Sequence, residues 1–218
     1  MKRTLTRGVL FTAVSTLAIT LSACGSDDSA ESTAAAGTSS TSAAAESSAM
    51  PASDEPFGEG CAAVATEGAG SFQGMSADPV VTAAGNTPAL SALVRAVQAA
   101  SLVDTLNSID DITVLAPADP AFEAFPAGAL DALLADTPQL TAVLTHHVIP
   151  GRLAPDELAG THTTLNNDEV TIEGSGQDFA ISAEATVLDQ MEASVICANV
   201  QTANATVYII DQVLAPTA

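Results

Sequence analysis

Ile112-Thr-Val-Leu-Ala-Pro-Ala-Asp-Pro-Ala-Phe122 reads as a strand, a stop and a helix start in one short run. The aliphatic and β-branched stretch from Ile112 to Ala116 has strand character, and Pro117 ends it. Asp119-Pro120 then reads as an N-cap followed by proline at the first helical position. A short helix should follow, burying Phe122 and Phe125. Upstream of this run the chain is helical. Residues 88–100 place Leu90, Leu93, Val94 and Val97 on one face, at spacings of three and four. Leu102-Val-Asp-Thr-Leu106 reads as a helical turn.

Downstream, Leu130, Leu133 and Leu134 mark another helix. Thr137-Pro138 opens a third, with Leu140, Val143, Leu144 and His147 along one stripe. Beyond it the period changes to that of strands. Asn166-Asn167 is a turn signal between Thr163-Thr-Leu165 and Glu169-Val-Thr-Ile-Glu173. Gly174-Ser-Gly176 reads as the next turn, before Asp178-Phe-Ala-Ile-Ser182. Strands are then expected at Thr186-Val-Leu188, over residues 193–200, and over residues 205–214, the last closed by Pro216. Helices first and strands later, with hairpin-sized gaps, argue an α+β fold rather than an alternating βαβ one.

The address is written at the other end of the chain. Lys2, Arg3 and Arg7 flank an uncharged apolar run that stops at Leu21-Ser22-Ala23-Cys24-Gly25. A charged start, a short apolar stretch and small residues make a signal peptide, too short to span a membrane. Small residues running straight into a cysteine resemble a bacterial lipoprotein signal, in which Cys24 is acylated and becomes the mature N-terminus. Residues 1–23 are therefore expected to be removed, leaving a membrane partner through an N-terminal lipid anchor. The protein would face outward from the cell membrane, with release to the extracellular region as its other destination.

Residues 24–56 are almost entirely Ser, Thr, Ala, Gly and acids. Such a segment buries too little apolar surface to offset its ordering entropy and is expected to be a disordered tether. A chain of that length spans on the order of 30 Å root-mean-square. Residues 57–218 recover the apolar periodicity and suit one domain.

Charge excludes one class of partner. With the signal removed, Arg95 and Arg152 remain against 26 acidic residues. A field of that sign repels phosphates, so no nucleic-acid partner is expected. Cys61 and Cys197 are an even pair in an exported chain, and a disulfide is their natural reading. With one Tyr and no Trp, an aromatic sugar-stacking platform is disfavoured.

Three stretches now line up with a known family. Thr113-Val-Leu-Ala-Pro-Ala-Asp-Pro-Ala-Phe122, His146-His-Val-Ile-Pro-Gly-Arg-Leu153 and Ala205-Thr-Val-Tyr-Ile-Ile-Asp-Gln-Val-Leu-Ala-Pro216 resemble, in order and spacing, the conserved motifs of fasciclin-1 domains. Gly60-Cys-Ala-Ala-Val64 and Leu102-Val-Asp-Thr-Leu-Asn-Ser108 extend the likeness to the mycobacterial branch of immunogenic secreted and surface-lipoprotein members, in which a disulfide joins the cysteines matching Cys61 and Cys197. Asp119 stands where the family often has Asn, and His146 where Tyr is usual.

The resemblance implies a β-sandwich-like wedge of strands with several helices packed against it. It implies a non-catalytic extracellular adhesion module whose protein partner lies on a cell surface or in matrix. The motif residues it carries over are Pro117, Asp119, Phe122, His147, Tyr208 and Asp211.

Sharper chemistry fares poorly. Neighbours such as His146 and His147 do not face one site on a helix, and His147 falls in register with an apolar stripe. Asp110-Asp111 and Asp168-Glu169 lack the alternating spacing of a calcium loop. No nucleophile elbow or phosphate loop occurs. Neither a cofactor, a metal site nor catalysis is expected. Asn204-Ala-Thr206 matches a glycosylation sequon by letter, and chance is the expected reason. The alternative to adhesion is a small-molecule or lipid-binding module, with the wedge between helices and sheet as its pocket.

Overall fold

A computed structural model describes residues 55–126, 128–188 and 191–216. The signal segment, Cys24 and most of the tether lie outside the described residues. After a 3-10 turn at Glu59–Ala63 the chain forms α1 (Phe72–Met75), α2 (Val80–Gly85), a 3-10 turn at Pro88–Leu90, α3 (Ser91–Ala99) and α4 (Val103–Ser108). Strand β1 (Ile112–Pro117) follows, then α5 (Asp119–Glu123), α6 (Ala129–Ala135) and α7 (Thr137–His146). The remainder is β2 (Val148–Pro150), β3 (Gly160–Thr163), β4 (Glu169–Ser175), β5 (Asp178–Ile181), β6 (Ala193–Gln201) and β7 (Ala205–Ile210).

The strands form one sheet in the order β2-β1-β7-β6-β5-β4-β3. β1 and β7 run parallel, from Ile112 opposite Ala205 to Pro117 opposite Ile210. The other pairings are antiparallel. The two edges approach each other, because Leu165 N–H donates to the Val148 carbonyl at 2.8 Å. The sheet thus nearly closes on itself, which leaves little edge open to other chains.

β1 and β7 are buried on both faces, as a strand between two layers must be. Val114, Ala116, Val207 and Ile209 face the helices, in a core shared with Leu93, Val97, Leu140 and Leu144. Leu115, Tyr208 and Ile210 face inward, in a second core with Ile172, Phe179 and Ile181. Full burial of an aliphatic side chain of this size contributes about 1.5–3 kcal/mol. Two register shifts in β6 swing Cys197 and Val200 to the helix side, while Val195 and Ala198 stay with the inner core. Cys61 and Cys197 are joined, with Cα atoms 4.8 Å apart. Phe57 pairs with Ala198 beside them. The start of the domain is therefore held to β6 by one covalent and one backbone link.

The α+β class and the wedge of strands with packed helices are as the sequence implies. Four local expectations are corrected. Asp119 is already inside α5 and does not cap it; the N-cap position belongs to Ala118. Residues 186–188 form no strand: after a 3-10 turn at Ala183–Ala185, Thr186 makes a single bridge to Leu214. The closing strand stops at Ile210, since Asp211 turns its side chain onto β6. Gly174 lies within β4, opposite Phe179, and the turn falls after Ser175, which pairs with Asp178. At Gly174 φ is +123°, and a Cβ there would lie 2.0 Å from the Asp178 carbonyl oxygen, so only glycine fits.

Candidate functional site

The motif residues all act as joints between elements. Asp119 Oδ1 accepts from the Ala92 N–H at 2.8 Å, and Oδ2 from Ser91 Oγ at 2.7 Å. The carboxylate sits at the first turn of α3, where free N–H groups and the helix dipole favour an anion. Pro117 ends β1 without an N–H to donate, and the ladder is completed by Ala118 N–H to the Ile210 carbonyl at 2.9 Å. Phe122 is buried, 6.5 Å from the Phe125 ring centre. Asp211 Oδ1 accepts from Ser194 N–H at 2.7 Å and ties the end of β7 to β6. Tyr208 is fully buried and its hydroxyl donates to the Leu153 carbonyl at 2.9 Å. Burial, with Asp156 and Glu157 nearby, holds its phenol above the usual range.

His147 follows the last residue of α7. Its Nδ1 lies 2.7 Å from the Val143 carbonyl, and its Nε2 accepts from the Leu214 N–H at 3.0 Å. A carbonyl can only accept, so Nδ1 carries the proton and Nε2 is bare. The ring is neutral, with both nitrogens engaged. Burial pushes its pKa down from 6.5 to about 4; the bond to Val143 opposes that fall and His146 adds to it. Neither lone pair nor proton is left for a metal or a substrate.

His146 points elsewhere. Its Nδ1 lies 2.7 Å from Asp168 Oδ1. Asp168 also accepts from Thr164 Oγ1 and from Asn166 Nδ2. Burial alone would raise the Asp168 carboxyl, but the bonds from Thr164, Asn166 and His146 outweigh it and hold it below its usual value. His146 Nε2 is buried with no hydrogen-bond partner. His162 donates from Nε2 to the Leu158 carbonyl at 2.9 Å, by the same argument. The three rings do not converge. Among the described residues no group of three or more His, Cys, Asp or Glu is placed to hold a metal ion.

Sequence reasoning missed two further joints. Asn204 is buried; its Oδ1 accepts from the Val80 N–H at 2.8 Å, and its Nδ2 donates to the carbonyls of Leu106 at 2.8 Å and Ile109 at 2.7 Å. One amide thus starts α2 and finishes α4. Arg152 donates to the carbonyls of Thr202, Ala203 and Ala205, to Gln201 Oε1 and to Asp111 Oδ1. Its guanidinium staples the β6–β7 turn. The scarcity of basic residues beyond the signal segment was the available clue to Arg152. Asn204 carried none beyond its sequon.

Among the described residues two kinds of space stand out. Under α2 lie two small apolar voids, of about 30 and about 20 Å³. On the outside, β5 and β6 pair only at Ala180–Ser194 and Ile181–Ala193 and then diverge. The divergence leaves an open groove of about 490 Å³, with Phe179 and Val195 in its lining and Glu173, Asp178 and Glu192 exposed around it.

Fold and joints together define an α+β wedge whose motif side chains serve its own frame. Residues 88–216 match the fasciclin domain family. The chain is 42% identical over 178 residues to cell surface glycolipoprotein MPB83 of Mycobacterium bovis, across 78% of this chain and 76% of that protein. It is 41% identical over 175 residues to immunogenic protein MPB70 of the same species, across 77% and 86%. A solved FAS1 domain pair from the insect cell adhesion molecule fasciclin I aligns with a TM-score of 0.45 and 26% identity, over 59% of this chain and 45% of that one. The protein belongs to the fasciclin domain family.

Proposed function

We propose that this is an outward-facing envelope lipoprotein, anchored through an acylated Cys24, whose fasciclin domain is a non-catalytic adhesion or protein-binding module. The observation that carries the reading is the internal engagement of the motif side chains. Asp119, His147, Tyr208 and Asp211 each bind a partner within the frame. What faces outward is an acidic exterior, and the groove between β5 and β6 is a concave part of it. Such a surface suits a partner with basic residues beside an apolar contact. Similarity to MPB83, a cell surface glycolipoprotein, and to the immunogenic MPB70 supports an envelope or extracellular location. Among the described residues no helix is long and apolar enough to cross a membrane.

The test is photo-crosslinking of the full-length protein on intact cells and on matrix extracts. The reactive group is placed at Asp178 in the groove or at exposed Glu67 away from it. Capture of a discrete protein from Asp178 and not from Glu67 supports the reading. Equal background from both removes the groove as a contact face. The anchor is tested by Cys24→Ala: continued membrane fractionation of that variant would count against acylation.

A further inference from the structure

The two voids behind the sheet share a wall. The first lies among α2, α3, α4, α7 and β1; the second runs from Met75 of α1 towards Val200 and Val207. Val80, Ala84, Leu93 and Val114 line both, so these four residues form a wall common to the two spaces. Together the voids extend beneath α2 from α7 to β6. The first has room for a water molecule or two by volume. Its walls are hydrocarbon apart from His147, and both nitrogens of that ring are already engaged. A water there would find no partner, so the space is dry.

The roof over this space is α2, whose Val80, Val81, Ala83 and Ala84 are buried. α2 is a six-residue helix ending in Ala83-Ala84-Gly85, too short to be stable by itself. Its first two N–H groups are held by side-chain amides, Val80 by Asn204 and Val81 by Asn107 at 3.0 Å. Val94, the only lining residue of the first void that is not buried, marks its approach to solvent.

We propose that the space under α2 is a binding pocket for a single unbranched hydrocarbon chain, seen here nearly closed. The chain enters beside Val94, displaces α2 outward and lies across the Val80–Ala84–Leu93–Val114 wall, joining the two voids. Extended shape follows from two small spaces that share a wall and together reach from α7 to β6. Hydrocarbon character follows from walls that are apolar apart from His147 and Thr202, whose polar atoms are already bonded within the protein. This pocket is separate from the outward groove, so partner capture and chain binding succeed or fail independently.

The experiment uses the full-length protein with its methyl groups labelled for NMR. The probe is 1-decanol, whose uncharged head avoids the repulsion a carboxylate meets at this acidic surface. Saturable shifts centred on the methyls of Val80, Ala84, Leu93 and Val114 are expected. Ala84→Leu, which adds bulk at that wall, should abolish them while the melting temperature stays level or rises. Val114→Ile repeats the test from the strand side should the first variant fold poorly. Absence of shifts in the wild type, or shifts that persist in both filled variants, overturns the proposal. Uptake of xenon without uptake of decanol also overturns it, by showing rigid voids rather than a pocket. With decanol bound, vesicles of dioleoyl phosphatidylcholine identify the source. Shifts at the same methyls assign a membrane acyl chain, and their absence assigns a free one; either supports the pocket.

Discussion

His147 joins the end of α7 to the closing segment of the chain, because its Nε2 accepts the backbone N–H of Leu214, 67 residues away, at 3.0 Å. That bond requires a bare nitrogen. Protonation of the ring breaks it and places a charge in a fully buried site.

Stability should therefore fall with acid in a defined window. The unfolded histidine takes up a proton near pH 6.5 and the folded one only near 4. The contribution of His147 is complete above pH 6.5 and is lost as pH falls towards 4. A shift of this size corresponds to about 3 kcal/mol. Urea unfolding from pH 7 to 4 measures it, and His147→Gln should flatten the slope in that window. Asp168, held below its usual value, acts in the same direction at lower pH, below 3.8.

Asp119→Ala should destabilise the domain by about 1–2 kcal/mol, because the first turn of α3 loses its carboxylate. Asp119→Asn should recover part of the loss, since an amide oxygen still accepts from Ala92. Equal losses in the two variants in thermal unfolding would contradict the capping role.

Reduction, or Cys197→Ser, should lower stability by about 2–5 kcal/mol. The link closes a separation of 136 residues, for which the loop-entropy model gives about 5 kcal/mol as an upper bound. Calorimetry with and without reductant measures it. An unchanged melting temperature would mean that the Phe57–Ala198 pairing alone holds the start of the domain.

Asn204 should remain free of glycan in a glycosylating host, because its amide is buried and bonded at both ends. Mass spectrometry of the intact protein checks this. Asn204→Ala leaves the Val80 N–H and two carbonyls without partners. It should cost about 2–4 kcal/mol, more than Asp119→Ala, since the groups left unpaired lie inside the fold.

The fold was legible wherever burial is periodic. The apolar spacing of α3 and α7 and the alternation in β4 are local facts, and each element formed close to its reading. Residues 186–188 misled because Val and Leu there suit a strand, yet the segment has only the tail after Asp211 to pair with. β7 was read too long for a related reason. Residues 205–214 are strand-like apart from Asp211 and Gln212, and the ladder ends where the Asp211 carboxylate, in place of a backbone carbonyl, accepts the Ser194 N–H. The motif residues stood out by resemblance, whereas their partners did not.

By itself the sequence determined the class, the two periods of the chain and the acidic character that repels phosphates. These are sums over neighbours along the backbone. Tertiary structure alone decided the parallel pairing of β1 with β7 and the capping of α3 by a residue of another helix. It alone decided that Asn204 would start a helix 124 residues away. A polar side chain states in sequence only that it must find a partner. Which partner it finds depends on the packing that brings distant elements together, and no local pattern records that distance.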